Sequence, residues 1–455
     1  MENSIKIHSF ANGLEKRMMK KQTYIAFGTL LLLLTSCGED RSGEFYALIE
    51  DRMWIEETMR EHYLWYQDIP AIEKEDEYFQ APATFFKKLL SKEAVNGQGD
   101  KYSYMEEAPL NNPDTRSQML DRTSTYGMEF VLTNDPTGTT NHTYARVLYT
   151  LPGSPAEAAG IRRGDWISAV NRQRITNSNY TLLQKGGQLQ IAVNQLTPTD
   201  KGIVWQTADT LQMDTSIKME INPFLIDTIY ETEGKKIAYL MYNEFSTSPN
   251  NEASETTYIE QMKQRFAHIK SQQADELILD LRYNNGGYLQ CAQALGSLIA
   301  PATALGKNFI TLTYNDKTTP QTVNYAFDTQ YADANLDLNK VYILTGDLTA
   351  SASEAVINGL IPYMGVDNVV LIGTKTVGKN VAVQSFHNET HGLTLWPVVA
   401  YVSNADGESD YSKGFTPTYN LNEFNIIPWY PLGDTREYLL NNTIKLITTG
   451  TMMNN

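Results

Sequence analysis

Residues 340–380, KVYILTGDLTASASEAVINGLIPYMGVDNVVLIGTKTVGKN, decide how this chain is read. An apolar run, Val341–Leu344, breaks at Gly346-Asp347, and a Ser/Ala cluster then opens a helix at about Ser351. A second apolar run, Val369–Ile372, follows, and a glycine-flanked loop after it carries Lys379. Strand, helix and strand in this order predict a serine hydroxyl at a strand-to-helix corner and a lysine brought back to the same sheet edge. A serine is a poor nucleophile until a base takes its proton, and a desolvated lysine can be that base.

The flanking sequence extends the same pattern. Lys236–Tyr242 has the composition of a strand and 252–272 that of a helix, while Leu277–Leu281 is nearly continuous apolar sequence, as expected of a strand buried on both faces. Leu289–Ile299 is helical and ends before Pro301. These segments predict an α/β core of βαβ type over 216–455. The stretch 304–340 is polar and turn-rich and gives no assignable element.

A carbonyl attacked by Ser351 would become an oxyanion that needs donors fixed in advance. The amides of Gly286 or Gly287 can supply one, in either order, and that of Ala352 at the helix start the other. Ser351 and Glu354 also fit an S-x-x-E capping box, in which Glu354 secures the helix start. Asp280 and Arg282 are expected to pair and fix their strand. Lys379 must be neutral to accept a proton, and Val377, Val381 and Val383 suit a desolvated pocket. The competing base is a histidine, His387 or His391.

Other regions have different periods. From 44 to 120 apolar residues recur at helical spacing (Phe45, Leu48, Ile49, Met53, Ile55, Met59, Tyr63), which predicts a small helical domain. From 121 to 215 alternation and turns take over. Residues 1–37 combine Lys20-Lys21, a short apolar run from Tyr24 to Leu34, and Leu34-Thr35-Ser36-Cys37. This is the layout of a secretory leader, and 38–43 then suit a tether. The net charge of −16 disfavours nucleic acid and anionic lipid surfaces as partners. With only Cys37 and Cys291 present, a lipidated Cys37 leaves no intramolecular disulfide, and Cys291 reads as a buried apolar residue. No H-E-x-x-H and no paired cysteine ligands suggest a metal, and no cofactor is expected.

Three motifs resemble the C-terminal processing peptidases, the S41 family of serine proteases: Thr349–Glu354 (TASASE), Thr376–Lys379 (TVGK) and Leu279–Gly287 (LDLRYNNGG). The resemblance implies Ser351 as nucleophile, Lys379 as general base, and the glycine and Ala352 amides as the oxyanion hole. The family often has a lysine-orienting glutamine; Gln384, the candidate, lies one position further on than expected. Gly153–Ile167 (GSPAEAAGIRRGDWI) resembles a PDZ domain, which binds peptide C-termini by strand addition. Tyr126, Gly127, Met128, Glu129 and Phe130 would then form its peptide-binding element, with the amides of 126–128 receiving the terminal carboxylate. The Leu-Thr-Ser-Cys ending resembles a bacterial lipobox, with Cys37 lipidated. The expectation is a multidomain α/β protein: an N-terminal helical domain, a PDZ-like β-rich domain, and a crotonase/ClpP-like βαβ serine protease core. Its expected activity is that of a lipid-anchored envelope endopeptidase (periplasmic or surface-exposed) that takes polypeptides by their C-termini. The competing class is an inactive S41-like lipoprotein holding a peptide or an apolar ligand.

Overall fold

The computed structural model describes residues 42–73, 75–107, 122–200, 202–206 and 209–452. Cys37 and the expected leader lie outside the described residues. Helix α1 (Ser42–His62) is followed by α2 (Pro82–Leu89), the short α3 (Ala94–Gly97) and strand β1 (Tyr104–Glu107). Ile55, Met59, Tyr63, Phe85, Phe86 and Leu89 bury one apolar stripe against Val381, Leu393, Leu395 and Val398. The helical period found in the sequence therefore has its partner more than three hundred residues downstream.

The next segment forms a five-stranded antiparallel path with its own core. Its strands are β2 (Met128–Asn134), β3 (Thr143–Thr150), β4 (Trp166–Val170), β6 (Leu189–Asn194) and β9 (Asp209–Met213), in the order β2-β3-β4-β6-β9. Strand β5 (Gln173–Arg174) pairs with β4, and β7 (Leu196–Thr199) with β8 (Gly202–Trp205) makes a separate hairpin. Helix α4 (Pro155–Ala158) is capped by Ser154, whose Oγ accepts the Glu157 amide at 3.1 Å. Strand β2 lies at the sheet edge, so one rim of its backbone has no strand partner among the described residues.

The main sheet has the order β10-β11-β12-β15-β16-β21, built from β10 (Phe224–Thr232), β11 (Lys235–Tyr242), β12 (Glu276–Asp280), β15 (Val341–Thr345), β16 (Val369–Gly373) and β21 (Tyr419–Asn420). From β11 to β21 the pairings are parallel. Continuous apolar sequence is needed here because successive side chains serve opposite faces. Leu240, Leu279, Ile343 and Leu371 join a core with helices α5 (Thr257–Ser271), α6 (Leu289–Ile299) and α7 (Ala352–Met364). Tyr239, Ile278, Leu344 and Ile372 face α8 (Tyr438–Thr449) and Leu148, Tyr149 and Leu151 of the edge-stranded domain. The uninterpreted stretch 304–340 supplies β13 (Asn308–Tyr314) and β14 (Thr322–Ala326), which join β17 (Val381–Val383) and β20 (Val398–Asn404) in a second sheet. Strand β1 completes a third with β18 (Phe386–Asn388) and β19 (Leu393–Trp396).

Asp280 and Arg282 pair at 2.8 Å, but they belong to a larger buried group. Arg282 also reaches Glu423 at 2.9 Å and Glu437 at 2.8 Å. Arg163, in the turn after α4, meets Glu423 at 2.6 Å and donates to the Tyr283 hydroxyl at 2.6 Å. Above it, the Arg146 guanidinium lies 3.5 Å from the Trp429 ring centroid and donates to the Phe424 and Ile426 carbonyls. Two arginines of the β2–β9 domain are thus held by the C-terminal segment of the core.

Burial alone would raise the Glu437 pKa, but the Arg282 and Arg163 guanidiniums hold it down to about 2. A depressed carboxylate stabilises the fold above its ordinary value of 4.5 and loses that contribution as pH falls toward 2. Glu437→Ala takes one carboxylate from both guanidiniums and leaves them Asp280 and Glu423; it should cost about 1–3 kcal/mol and remove this acid-side slope. Denaturant titrations at pH 7 and pH 3, with limited proteolysis of residues 122–213, measure both effects. A mutant as stable as the parent at pH 7 would contradict the network's role.

Candidate active site

Strand β15 ends at Thr345, and the chain turns through Gly346–Ala350 into α7. Ser351 sits at that corner as the N-cap, half-buried, with φ 58° and ψ −113°. A non-glycine residue with such a backbone costs about 1–3 kcal/mol and persists only where the surroundings impose it. Here they do. Gly286 (φ +103°) packs directly on the corner: a Cβ on it would lie 2.7 Å from Ser351 Cβ and 3.0 Å from the Ala352 nitrogen. Only glycine allows that approach. The Ala350 amide donates to the Asn284 carbonyl at 3.1 Å, tying the corner to the end of β12.

Glu354 accounts for the rest of the geometry. Its buried carboxylate accepts four hydrogen bonds: Ser351 N–H at 2.9 Å and Lys379 N–H at 2.7 Å on Oε2, and Gly378 N–H at 2.7 Å and the Thr376 hydroxyl at 2.6 Å on Oε1. One oxygen atom therefore holds the backbones of both Ser351 and Lys379. Burial raises the Glu354 pKa, and these donors oppose the rise. The capping box foreseen from the sequence is present. It does not compete with a chemical role, because the cap also fixes the serine at the start of α7.

Lys379 is half-buried, and among the described residues its amine makes no hydrogen bond or ion pair. Burial pushes it down to about 8, against the pull of Asp100 and Glu354, which favour the charged form. Its Nζ stands 5.6 Å from the centroid of the Tyr102 ring, and the Tyr102 hydroxyl donates to the Gly378 carbonyl at 3.2 Å. Asp100 is itself anchored, accepting from the Tyr63 hydroxyl and the Tyr102 and Ser103 amides.

The two glycines have different tasks. Gly286 N–H donates to Asn284 Oδ1 at 2.8 Å, so it is engaged. Among the described residues, the Gly287 and Ala352 amides have no acceptor. A serine at a helix start, an amine that sheds its proton near neutrality, and two unpaired amides beside them form a constellation suited to acyl transfer.

A family model of peptidase family S41 matches residues 236–421, one of the S41 N-terminal domain matches 52–104, and one of a PDZ domain matches 146–184. A solved structure from Bacteroides fragilis NCTC 9343, of a protein classed with the S41 proteases, is 35% identical. The match covers 88% of this chain and 97% of that one, with a TM-score of 0.74. The chain belongs to peptidase family S41. Among curated relatives, the carboxyl-terminal-processing protease of Picosynechococcus is 28% identical over 63% of this chain, and the carboxy-terminal processing protease CtpA of Bacillus subtilis 28% over 64%. The chain spans 61% and 57% of the length of these two.

Within this S41 framework Ser351, Lys379, Glu354, Gly286, Gly287 and Ala352 come together, whereas Asp280 and Arg282 belong to the buried network. Gln384 does not join them: it is exposed and makes no side-chain hydrogen bond to Lys379. A register shift between Ala382 and Val383 alters the side-chain phase just before it. His387 is exposed and bonds to Thr394 Oγ1 at 2.9 Å. Cys291 is buried, its thiol pushed up to about 12 by burial. In the PDZ segment, Met128 and Phe130 enter the domain core, whereas Glu129 opens onto a cleft. The Tyr126 amide donates to the Gln184 carbonyl at 3.4 Å and the Gly127 amide to Thr125 Oγ1 at 2.9 Å, so both are already in use. Asp100 and Tyr102 escaped the sequence reading, for nothing local marks a contact with a residue 276 positions away.

If Tyr102 helps exclude water from Lys379, Tyr102→Ala should raise the amine's pKa. The pH at which Ser351 reacts half-maximally with a phosphonate would move up from about 8 by roughly one unit or more. Tyr102→Phe keeps the ring and should stay near the parent. Unshifted profiles in both variants would remove Tyr102 from the account.

Proposed function

We propose that this S41 protein is a serine endopeptidase of the C-terminal-processing type that works by a Ser351/Lys379 dyad. The single observation that carries the reading is the shared Glu354 oxygen, which fixes both backbones at one site. Neutral Lys379 takes the Ser351 proton as Oγ attacks the scissile carbonyl, and the oxyanion is held by the Gly287 and Ala352 amides. The lysine ammonium then returns the proton to the departing amine, leaving an acyl-serine. Lysine next activates a water, whose attack releases the acid and regenerates the serine.

The PDZ domain captures polypeptide C-termini in this reading. The unpaired rim of β2 supports strand addition, with main-chain bonds giving affinity. Since the Tyr126 and Gly127 amides are in use, the chain end is met along the edge of β2 rather than by those two donors. We further propose that Cys37 carries lipid and tethers the enzyme to a bacterial membrane in the cell envelope, facing the periplasm or the cell surface. No helix among the described residues is long and apolar enough to cross a membrane.

Ser351→Ala and Lys379→Ala should each abolish cleavage of an unfolded polypeptide, with the double mutant no worse than either single. Peptide products would be followed by mass spectrometry. Full activity in Lys379→Ala would end the dyad, and absence of serine-dependent cleavage in the parent would favour a binding protein. Cys37→Ser should move the protein from the membrane fraction to the soluble fraction without changing cleavage of a short peptide. Unchanged fractionation would contradict the anchor.

A further inference from the structure

An open cleft lies between the PDZ domain and the protease core. The PDZ side contributes Glu129 from β2 and Tyr149 from β3; the core side contributes Asn243, Glu244, Tyr283 and Gly286. Gly286 is the glycine pressed against Ser351, so one residue joins the wall of the cleft to the nucleophile's corner.

The chemistry of its wall is one-sided. Two carboxylates and three asparagines line it, and no lysine, arginine or histidine does. Glu244 is already matched by Arg122 at 2.6 Å, but Glu129 has no hydrogen-bond or ion-pair partner among the described residues. Asn243 Oδ1 is a second acceptor, buried and without a donor. A half-buried carboxylate without a counter-ion, beside an unsatisfied carbonyl oxygen, is an incomplete arrangement. A ligand carrying a cationic donor completes it.

We propose that this cleft is a specificity subsite that takes a lysine or arginine side chain of the polypeptide substrate, with Glu129 as its counter-ion. The proposal rests on the endopeptidase reading and adds the substrate class to it. A polypeptide lying along β2 toward Ser351 passes the cleft, so the basic residue sits close to the scissile bond while the chain end is held elsewhere.

The test uses the full-length protein and one cleavable peptide in which each position near the scissile bond carries lysine or norleucine. At one position the parent should favour lysine by about tenfold or more in kcat/KM, the effect of one charge-assisted contact. Glu129→Gln should bring that ratio close to one, and Glu129→Arg should reverse it in favour of a glutamate peptide. Affinities for Ser351→Ala, measured with the same peptides labelled by a fluorophore, separate the two claims. A lysine preference in binding without cleavage by the parent would support the subsite and overturn the endopeptidase reading. Equal cleavage and binding of lysine and norleucine peptides at every position, or a preference that survives Glu129→Gln, would overturn the subsite.

Discussion

The carboxylate of Glu354 is the constraint on which the site depends. A buried carboxylate with four donors can neither move nor be replaced by water, so everything it bonds is fixed relative to α7. What it bonds are the serine corner and the lysine loop. Glutamate is needed for its reach and its two oxygens; glutamine keeps one full acceptor and would place an NH₂ against amides that already donate. The same group raises the question of charge. An anion next to Lys379 favours ammonium, yet burial wins and the amine falls to about 8. The carboxylate spends its acceptor capacity on backbone amides and Thr376, and this limits what it offers to the lysine.

A second layer holds the first. Strand β12 ends in a buried group of Asp280, Arg282, Glu423 and Glu437, and the PDZ domain enters it through Arg163. Asn284, two residues beyond Arg282, accepts the Ala350 amide on its carbonyl and the Gly286 amide on its side chain. The orientation of the PDZ domain and the glycine turn facing Ser351 are therefore set by neighbouring residues of one loop. Between them opens the cleft that Glu129 enters.

The sequence made the parallel core legible because β12, β15 and β16 are buried on both faces and so are apolar without interruption. It made the serine corner and lysine loop legible because glycine and small residues mark places where backbone must bend or approach. It did not disclose β13 and β14. Among the described residues β14 pairs only with β13, whose other partner β20 lies about ninety residues downstream, and the half-exposed or exposed Thr and Asn positions between their apolar residues read as loop. Gln384 follows a bulge that cannot be seen in composition, and it is exposed. The PDZ loop illustrates another limit: a glycine beside apolar alternation resembles a carboxylate-binding loop, but only the folded chain shows that Thr125 and Gln184 already receive its amides. Asp100 and Tyr102 reach the lysine through tertiary packing alone.

The central claim is that Lys379 is a neutral amine under conditions where other lysines are ammonium. Its ionisation can be observed directly by NMR, following the ¹³Cε shift of labelled lysines with pH and assigning the Lys379 signal by its absence in Lys379→Met. The account predicts a midpoint near 8 for that one resonance, with solvated lysines titrating near ~10.4. A Lys379 midpoint at or above the value of its solvated neighbours would contradict it, because no base would then be available to Ser351 near neutral pH.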